Sequence, residues 1–562
     1  MIELPPFLLF YIAALVAAVL PRAPRLVLML AVPLASCAVL LQLPTELSVN
    51  LVLMDLQLEP LRVDRLSRLF GILFHIGAFI GIVFSLHTRD RTQHVAALAY
   101  AGSALGAVFA GDLLTLFVFW ELLAVSSVFL IFASRTERSY GAGMRYLVIQ
   151  IISGVLLLAG ALMLYAQSGS LRFEHIGLSG FASVLIFIAF GIKCAFPLLH
   201  NWLTDAYPEA TPTGTVFLSA FTTKVAVYAL ARGFAGTELL VYIGAVMTCF
   251  PIFYAVIEND LRRVLAYSMI NQIGFMVVGI GLGTALALNG AIAHAFNDVI
   301  FKGLLMMSMG AVLHMTGRMN GSDLGGLYKS MPVTTTFCII GAASISAFPL
   351  FSGFVSKSMV MVAVLEEGHP IVWLALLFAS AGVFHHAGIK IPFFAFFAHD
   401  SGIRTREAPI NMLIAMGIAA ALCIGIGVWP WMLYDLLPFK VDYTPFDGSH
   451  ILAQIQLLVF SAAAFAWLKV AGIYPPELHS TNIDVEWLYR RLAPRWLRNT
   501  TALTRQAADL GGQACKHLGQ KLMRLVLDHY GPEGTLARAW PTGSMVLWVA
   551  VLLGASLILF YL

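Results

Sequence analysis

Charge is what this chain has least of. Of its 562 residues only 11% are Asp, Glu, Lys or Arg, against about a quarter in soluble domains, while 59% are apolar. That shortage excludes a soluble globular protein. Paired cysteines are missing too. Cys37, Cys194, Cys249, Cys338, Cys423 and Cys515 are scattered and none falls in a C-x-x-C, so no disulfide framework, iron–sulfur cradle or zinc site is expected. Short segments alternating apolar with polar residues do not recur along the chain, which excludes a transmembrane β-barrel. The first apolar stretch, 5–20, lacks a basic leader and an A-x-A site, and reads as a retained helix. A net charge of +4 gives no reason to expect nucleic acid.

What is there is a succession of apolar runs of roughly 17–25 residues, each long enough to cross a bilayer as a helix. The sequence therefore predicts an all-α polytopic membrane protein, with about sixteen spans. Loops after odd-numbered spans carry Arg22, Arg25, Arg89, Arg91, Arg135, Arg138, Arg262, Arg263, Arg318, Lys329, Arg404 and Arg406. Those after even-numbered spans carry few basic residues (Arg62, Arg65, Arg172, Arg232, Lys440) and also Glu366 and Glu367. The asymmetry puts the odd loops in the cytoplasm and both termini outside.

Ionisable residues inside spans are expensive and mark ion or proton paths by default. Glu121 sits mid-span after Trp120. Lys193 sits in the seventh span (181–203), four residues before Pro197, with His200 seven residues on and so on the same helical face. Lys224 lies in the eighth span. In the eleventh, His294, Asp298 and Lys302 follow at i, i+4 and i+8 up one face. Lys357 and Lys390 complete the set, with His200, Asp205 and His386 as accessory candidates. The competing interpretation is static buried ion pairs that staple helices; the number of separate spans involved favours a relay. A buried lysine beside a carboxylate binds or releases a proton when the carboxylate moves or is protonated. Pro197 breaks the seventh span, and Pro349 with Gly353 breaks the twelfth. Two broken helices running in opposite directions point to inverted repeats with an ion site near midplane.

This gives an organisation of N-terminal helices over 1–93, inverted repeats over 94–233 and 239–398, and C-terminal core helices over 409–473. A basic segment follows over 474–540, then a last span over 541–562. The basic segment suits the cytoplasmic interface, while Gly511-Gly512 and Gly531-Pro532 argue against one unbroken helix there. Gly279 to Gly283 superficially suggests a nucleotide loop but lacks any βαβ setting.

Three stretches carry a family resemblance: Phe119-Trp120-Glu121-Leu122, Lys193 through Trp202 to Pro212, and Asp260-Leu261-Arg262-Arg263 onward to Ser268. With His294–Lys302 and Pro349–Lys357 they resemble the proton-conducting antiporter family: the D-type subunit of Mrp-type cation/proton antiporters, with the antiporter-like subunits of complex I and energy-converting hydrogenases. The resemblance covers roughly residues 60–430. It implies a core of about fourteen helices with two inverted five-helix repeats, in a bacterial-type inner membrane. Glu121 would then tune Lys193, Lys224 would link the halves, and Lys357 would occupy the terminal position on the second broken helix. Asp298 stands where many relatives carry histidine. Two C-terminal helices around a basic segment resemble the larger complex I subunit.

The expected function is a membrane subunit of a multisubunit complex that conducts protons. Conduction would be coupled to antiport of Na+ or another monovalent cation, or to electron transfer in partner subunits. The alternative is a proton-conducting membrane partner of a cytoplasmic enzyme, such as an inorganic-carbon accumulation complex. The chain shows no cofactor or metal motif, so the expected partners are other membrane subunits, protons, Na+ and the lipid bilayer, with no nucleic acid.

Overall fold

A computed structural model describes residues 4–54, 56–478, 482–539 and 541–562, in two units, Met1–Asn482 and Ile483–Leu562. Among the described residues, 12 helices are long and apolar enough to cross a membrane, and shorter apolar helices run over Pro6–Val19, Phe181–Lys193 and Pro332–Ile345. Polar side chains set the helix starts. Asp64 and Ser67 form a capping box ahead of Arg65–Ser85, as do Thr136 and Ser139 ahead of Glu137–Ser168. Left-handed Gly169, Gly283 and Gly317 close three helices, two of them the 32-residue Glu137–Ser168 and Ala285–Thr316.

The connections of the first unit sort into two hydrogen-bonded layers. In one, Gly111 N–H donates to Glu59 O (2.8 Å), Phe173 N–H to Gly111 O (2.8 Å), Ile176 N–H to Gly233 O (2.8 Å) and Gly236 N–H to Ile280 O (2.9 Å). These are all connections after even-numbered spans. In the other, Arg22 reaches His87 O at 3.3 Å, Arg135 pairs with Asp90 at 3.1 Å, and Arg262 donates to Ala210 O at 2.8 Å. Gly321 N–H donates to Asn259 O at 2.8 Å, and Ser401 to Gly325 O at 2.8 Å. These follow odd-numbered spans. The alternation inferred from loop charge is thus the alternation of the fold.

One element departs from an all-helical reading. Leu47–Leu53 and Leu56–Val63 pair as an antiparallel hairpin in the even layer. Its signal is the period-2 run of Leu47, Val49, Leu51 and Leu53.

Both broken spans are present, and they are broken the same way. Phe181–Lys193 ends in a motif in which Ala195 N–H bonds Ile192 O and Phe196 N–H bonds Gly191 O; Pro332–Ile345 ends with Ala347 N–H on Ser344 O and Phe348 N–H on Ala343 O. This is the Schellman end, with alanine where glycine is usual. Each break contains the tetrapeptide Ala-Phe-Pro-Leu, at 195–198 and 347–350. In each, the first and last residues are left-handed: φ is +62° and +71° at Ala195 and Leu198, and +58° and +73° at Ala347 and Leu350. Such residues outside glycine cost about 1–2 kcal/mol each. After the breaks the chain resumes as Asn201–Ala206 and Ser352–Glu366.

The break corrects one expectation. Lys193 and His200 do not share a helical face, because the helix stops between them. At the second break Gly353 is packed so closely that a methyl group there would overlap the Ser344 carbonyl oxygen. Gly353→Ala is therefore expected to destabilise the fold by about 1–3 kcal/mol. A thermal melt of the purified protein in detergent, followed by tryptophan fluorescence, checks this; an unchanged midpoint would remove the packing argument.

In the second unit Ala493–Tyr530 is one 38-residue helix, about 57 Å long at 1.5 Å per residue. Contrary to the sequence reading, Gly511-Gly512 does not interrupt it. At roughly 1 kcal/mol each the glycines weaken a helix without ending it. Gly531-Pro532 does end it, and Thr542–Tyr561 follows.

Candidate functional site

Trp120 and Glu121 lie midway along Leu113–Phe132, and Lys193 is the last residue before the first break. The break turns the chain away and leaves the Lys193 ammonium pointing at this neighbouring helix. It donates to Trp120 O at 2.9 Å and stands 4.9 Å from the centroid of the Trp120 ring. Glu121 and Lys193 feel each other's charge. The Glu121 carboxylate lies against Gly154 on Glu137–Ser168, and any larger residue there would displace it.

Lys224 continues the row close enough to Cys194, the residue after Lys193, for its charge to act there. Its span is interrupted at Phe221, dividing Pro212–Ala220 from Thr222–Gly233. Next to that interruption the ammonium donates to Ser219 O at 3.1 Å. Its ionic partner is Asp298, at 2.5 Å, and both side chains are 0% exposed. Asp298 lies on Ala285–Thr316, one turn below Lys302, which donates to Ser268 at 2.8 Å, and one turn above His294. The His294 ring is held between Ser356 (3.0 Å) and Gln272 (3.1 Å).

Lys357 sits on the half-helix after the second break, donates to Ile345 O at 3.3 Å and stands 4.9 Å from the Phe275 ring. The two break-associated lysines are thus each seated over an aromatic ring of a neighbouring helix, a contact worth about 2 kcal/mol when desolvated. Asp298 acts electrostatically on both Lys302 and Lys357. His386 is buried where the charges of Lys302 and Lys390 both reach it, on a wide π-helical turn over Phe384–Lys390. Such turns recur at functional sites.

The structure therefore brings Glu121, Lys193, Lys224, Asp298, His294, Lys302, Lys357, His386 and Lys390 into one succession. The other two accessory candidates have partners of their own. Asp205 forms a two-point ion pair with Arg145 (2.7 and 3.0 Å), and His200 packs 4.7 Å from the Phe250 ring. Pro197, Pro349 and Gly353 act through the backbone at the breaks. The polar residues that orient the row, Ser268, Gln272, Asn297 and Ser356, are not singled out by sequence reasoning. Asn297 donates to Ser352 O at 2.7 Å and so fastens the second break to the His294 helix. The one available signal is a polar side chain within a helix otherwise buried.

Two broken helices in oppositely running spans, joined by a buried row of ionisable side chains, define an antiporter-like membrane protein. Residues 110–381 match the family described as NADH:quinone oxidoreductase/Mrp antiporter, transmembrane. The chain is 33% identical over 427 residues to a Na(+)/H(+) antiporter subunit of Alkalihalophilus pseudofirmus, an alignment covering 66% of this chain and 52% of that one. It is 28% identical over 450 residues to the hydrogenase-4 component B of Escherichia coli, covering 71% and 66%. The fold matches a chain in the Mrp complex from Dietzia sp. with a TM-score of 0.77 at 23% identity, covering 97% of this chain and 65% of that one. The chain thus spans about half to two thirds of the length of these relatives.

Proposed function

We propose that this chain is a proton-conducting membrane subunit of a multisubunit ion-translocating complex. Protons would pass along Glu121, Lys193, Lys224, Asp298, Lys302, Lys357, His386 and Lys390, with His294 alongside, and their movement would be coupled to monovalent-cation antiport or to electron transfer in partner subunits. The observation that carries this reading is the continuity of the row. Buried titratable side chains succeed one another from one broken helix to the other: charge couples Glu121 to Lys193, Lys224 pairs with Asp298 beside Cys194, Asp298 acts on Lys302 and Lys357, and Lys302 acts on His386. Na(+)/H(+) antiporter and hydrogenase relatives support the same class of activity.

The face carrying Arg22, Arg91, Arg135, Arg262 and Arg404 belongs in the cytoplasm of a bacterial-type inner membrane, with both termini outside. Proton movement in vesicles containing the whole complex, followed with a pH-sensitive dye, tests the function. A driven pH change is expected, and vesicles that move the coupled cation or reduce the acceptor with no pH change would refute it. For orientation, a cysteine placed at Arg138 should resist a membrane-impermeant thiol reagent applied to intact cells, and efficient labelling would reverse the assignment.

A further inference from the structure

Lys390, the last lysine of the row, is fully buried and anchored at the end of Glu238–Ile257. Its ammonium donates to Ala255 O (3.3 Å), Val256 O (2.7 Å) and Glu258 O (2.6 Å), in the region where a helix end leaves carbonyls unpaired. Three carbonyls already match the three N–H bonds of an ammonium. A carboxylate is nevertheless added: Glu477 Oε1 lies 3.0 Å away, with side-chain exposures of 0% for Lys390 and 6% for Glu477. The surplus acceptor supplies charge, not a missing hydrogen bond.

Glu477 belongs to no helix. It follows Gly448–Val470 on a short return of the chain in which Ile473 and Tyr474 N–H both donate to Leu468 O at 3.0 Å. The Tyr474 ring is seated 5.2 Å from Phe465 and 5.5 Å from His385, with Lys469 5.4 Å above it. A few residues on, Asn482 donates to Glu258 Oε2 at 3.1 Å. Residues 474–478 thus lie over Lys390 on the odd layer of connections.

We propose that Glu477 is a further proton-exchanging member of the row, and that residues 474–478 form the cap through which protons pass between Lys390 and water on that face. In the outward step an N–H bond of the Lys390 ammonium breaks and an O–H bond forms on Glu477, turning the ion pair into a neutral amine and acid. The acid then releases its proton to water, and the inward step is the reverse. Nothing but a proton is consumed or produced.

Burial pushes the Glu477 carboxyl above the ordinary carboxylate value, Lys390 and Lys469 pull it back, and Glu258 adds to the rise. Tyr474, His385 and His386 complete the titratable groups around the pair. A carboxyl balanced in this way changes protonation when Lys390 changes charge.

This inference rests on the proton-conducting reading of the row, and the test separates the two. In vesicles holding the whole complex, Glu477→Gln should cut proton flux roughly tenfold with normal assembly. That is less than the 10²–10⁴ of an enclosed acid–base group, because the Glu477 side chain keeps a 6% exposed edge. Glu477→Asp should recover part of the flux. Glu477→Ala should be rescued by millimolar formate, a small acid that can occupy the vacated space. Wild-type flux in Glu477→Gln, beside a dead Lys193→Arg, would overturn the role of Glu477 and leave the row intact. Loss of assembled complex in both the Gln and Ala variants, with no formate rescue, would make the pair a structural clamp and also overturn it. Normal flux in Lys193→Arg would refute the row itself, whatever Glu477 does.

Discussion

Lys193→Arg is expected to stop proton movement as completely as Lys193→Ala, although arginine keeps the charge and the reach. The ammonium of Lys193 is enclosed by Trp120 and by the first break, hydrogen-bonded to a carbonyl that would accept from either side chain. A staple would therefore survive the exchange. A relay would not, because guanidinium holds its proton throughout the accessible pH range. Glu121 provides the companion experiment. An opposite charge at about 4–6 Å is worth one to three pKa units, and each unit about 1.4 kcal/mol, so moving it changes a neighbour's protonation at least tenfold. Glu121→Ala should abolish flux with the complex still assembled, while Glu121→Asp should keep part of it. The measurement is vesicle proton flux normalised to assembled complex. Normal flux from well-assembled Lys193→Arg would leave a static pair.

The second large effect concerns Lys224 and Asp298. Both side chains are sealed from solvent and the carboxylate meets the ammonium at 2.5 Å. Removing one partner of such a pair leaves an uncompensated buried charge, at a cost of about 3–5 kcal/mol, whereas replacing both with apolar residues of similar volume is often neutral or stabilising. Asp298→Ala alone should melt early and conduct nothing. The double change Lys224→Met with Asp298→Leu should recover the melting midpoint and still conduct nothing. Thermal melts and flux on the same preparations check both statements. If the double variant conducts like the wild type, the pair staples helices and carries no protons.

The lysines of the row are readable because a charge inside an apolar run is conspicuous, whatever its surroundings. The loop alternation is readable for a related reason: basic residues collect on one set of connections, and the hydrogen-bonded layers follow them. Other features depend on what packs against what. Nothing in the spacing of Lys193 and Glu121 says that the ammonium will choose the Trp120 carbonyl. Nothing around Phe221 announces the interruption beside Lys224, and the wide turn over Phe384–Lys390 reads as ordinary helix. Helical periodicity misplaces His200 because it is extended past Lys193, where the helix stops. Glu477 lies beyond the apolar runs, where a carboxylate attracts no notice. The repeated Ala-Phe-Pro-Leu, by contrast, stands in plain view in the sequence. The recurring Gly-Ile-Lys at 191–193 and 388–390 is just as visible, but the breaks do not align it.

The burial of Asp298 has a consequence for how this chain is made. A charged side chain at the centre of a helix entering the bilayer costs about 2.5–3.5 kcal/mol on the translocation scale, and Ala285–Thr316 carries both Asp298 and Lys302. Its neighbour Leu261–Leu282 is buried along its whole apolar window and presents no face to lipid. Neither helix suits insertion alone. The partner that neutralises Asp298 is Lys224, which leaves the ribosome first. The first half of the protein therefore serves as the solvent into which this part of the second half is delivered, and synthesis from the N-terminus is the order in which Asp298 finds Lys224 already waiting.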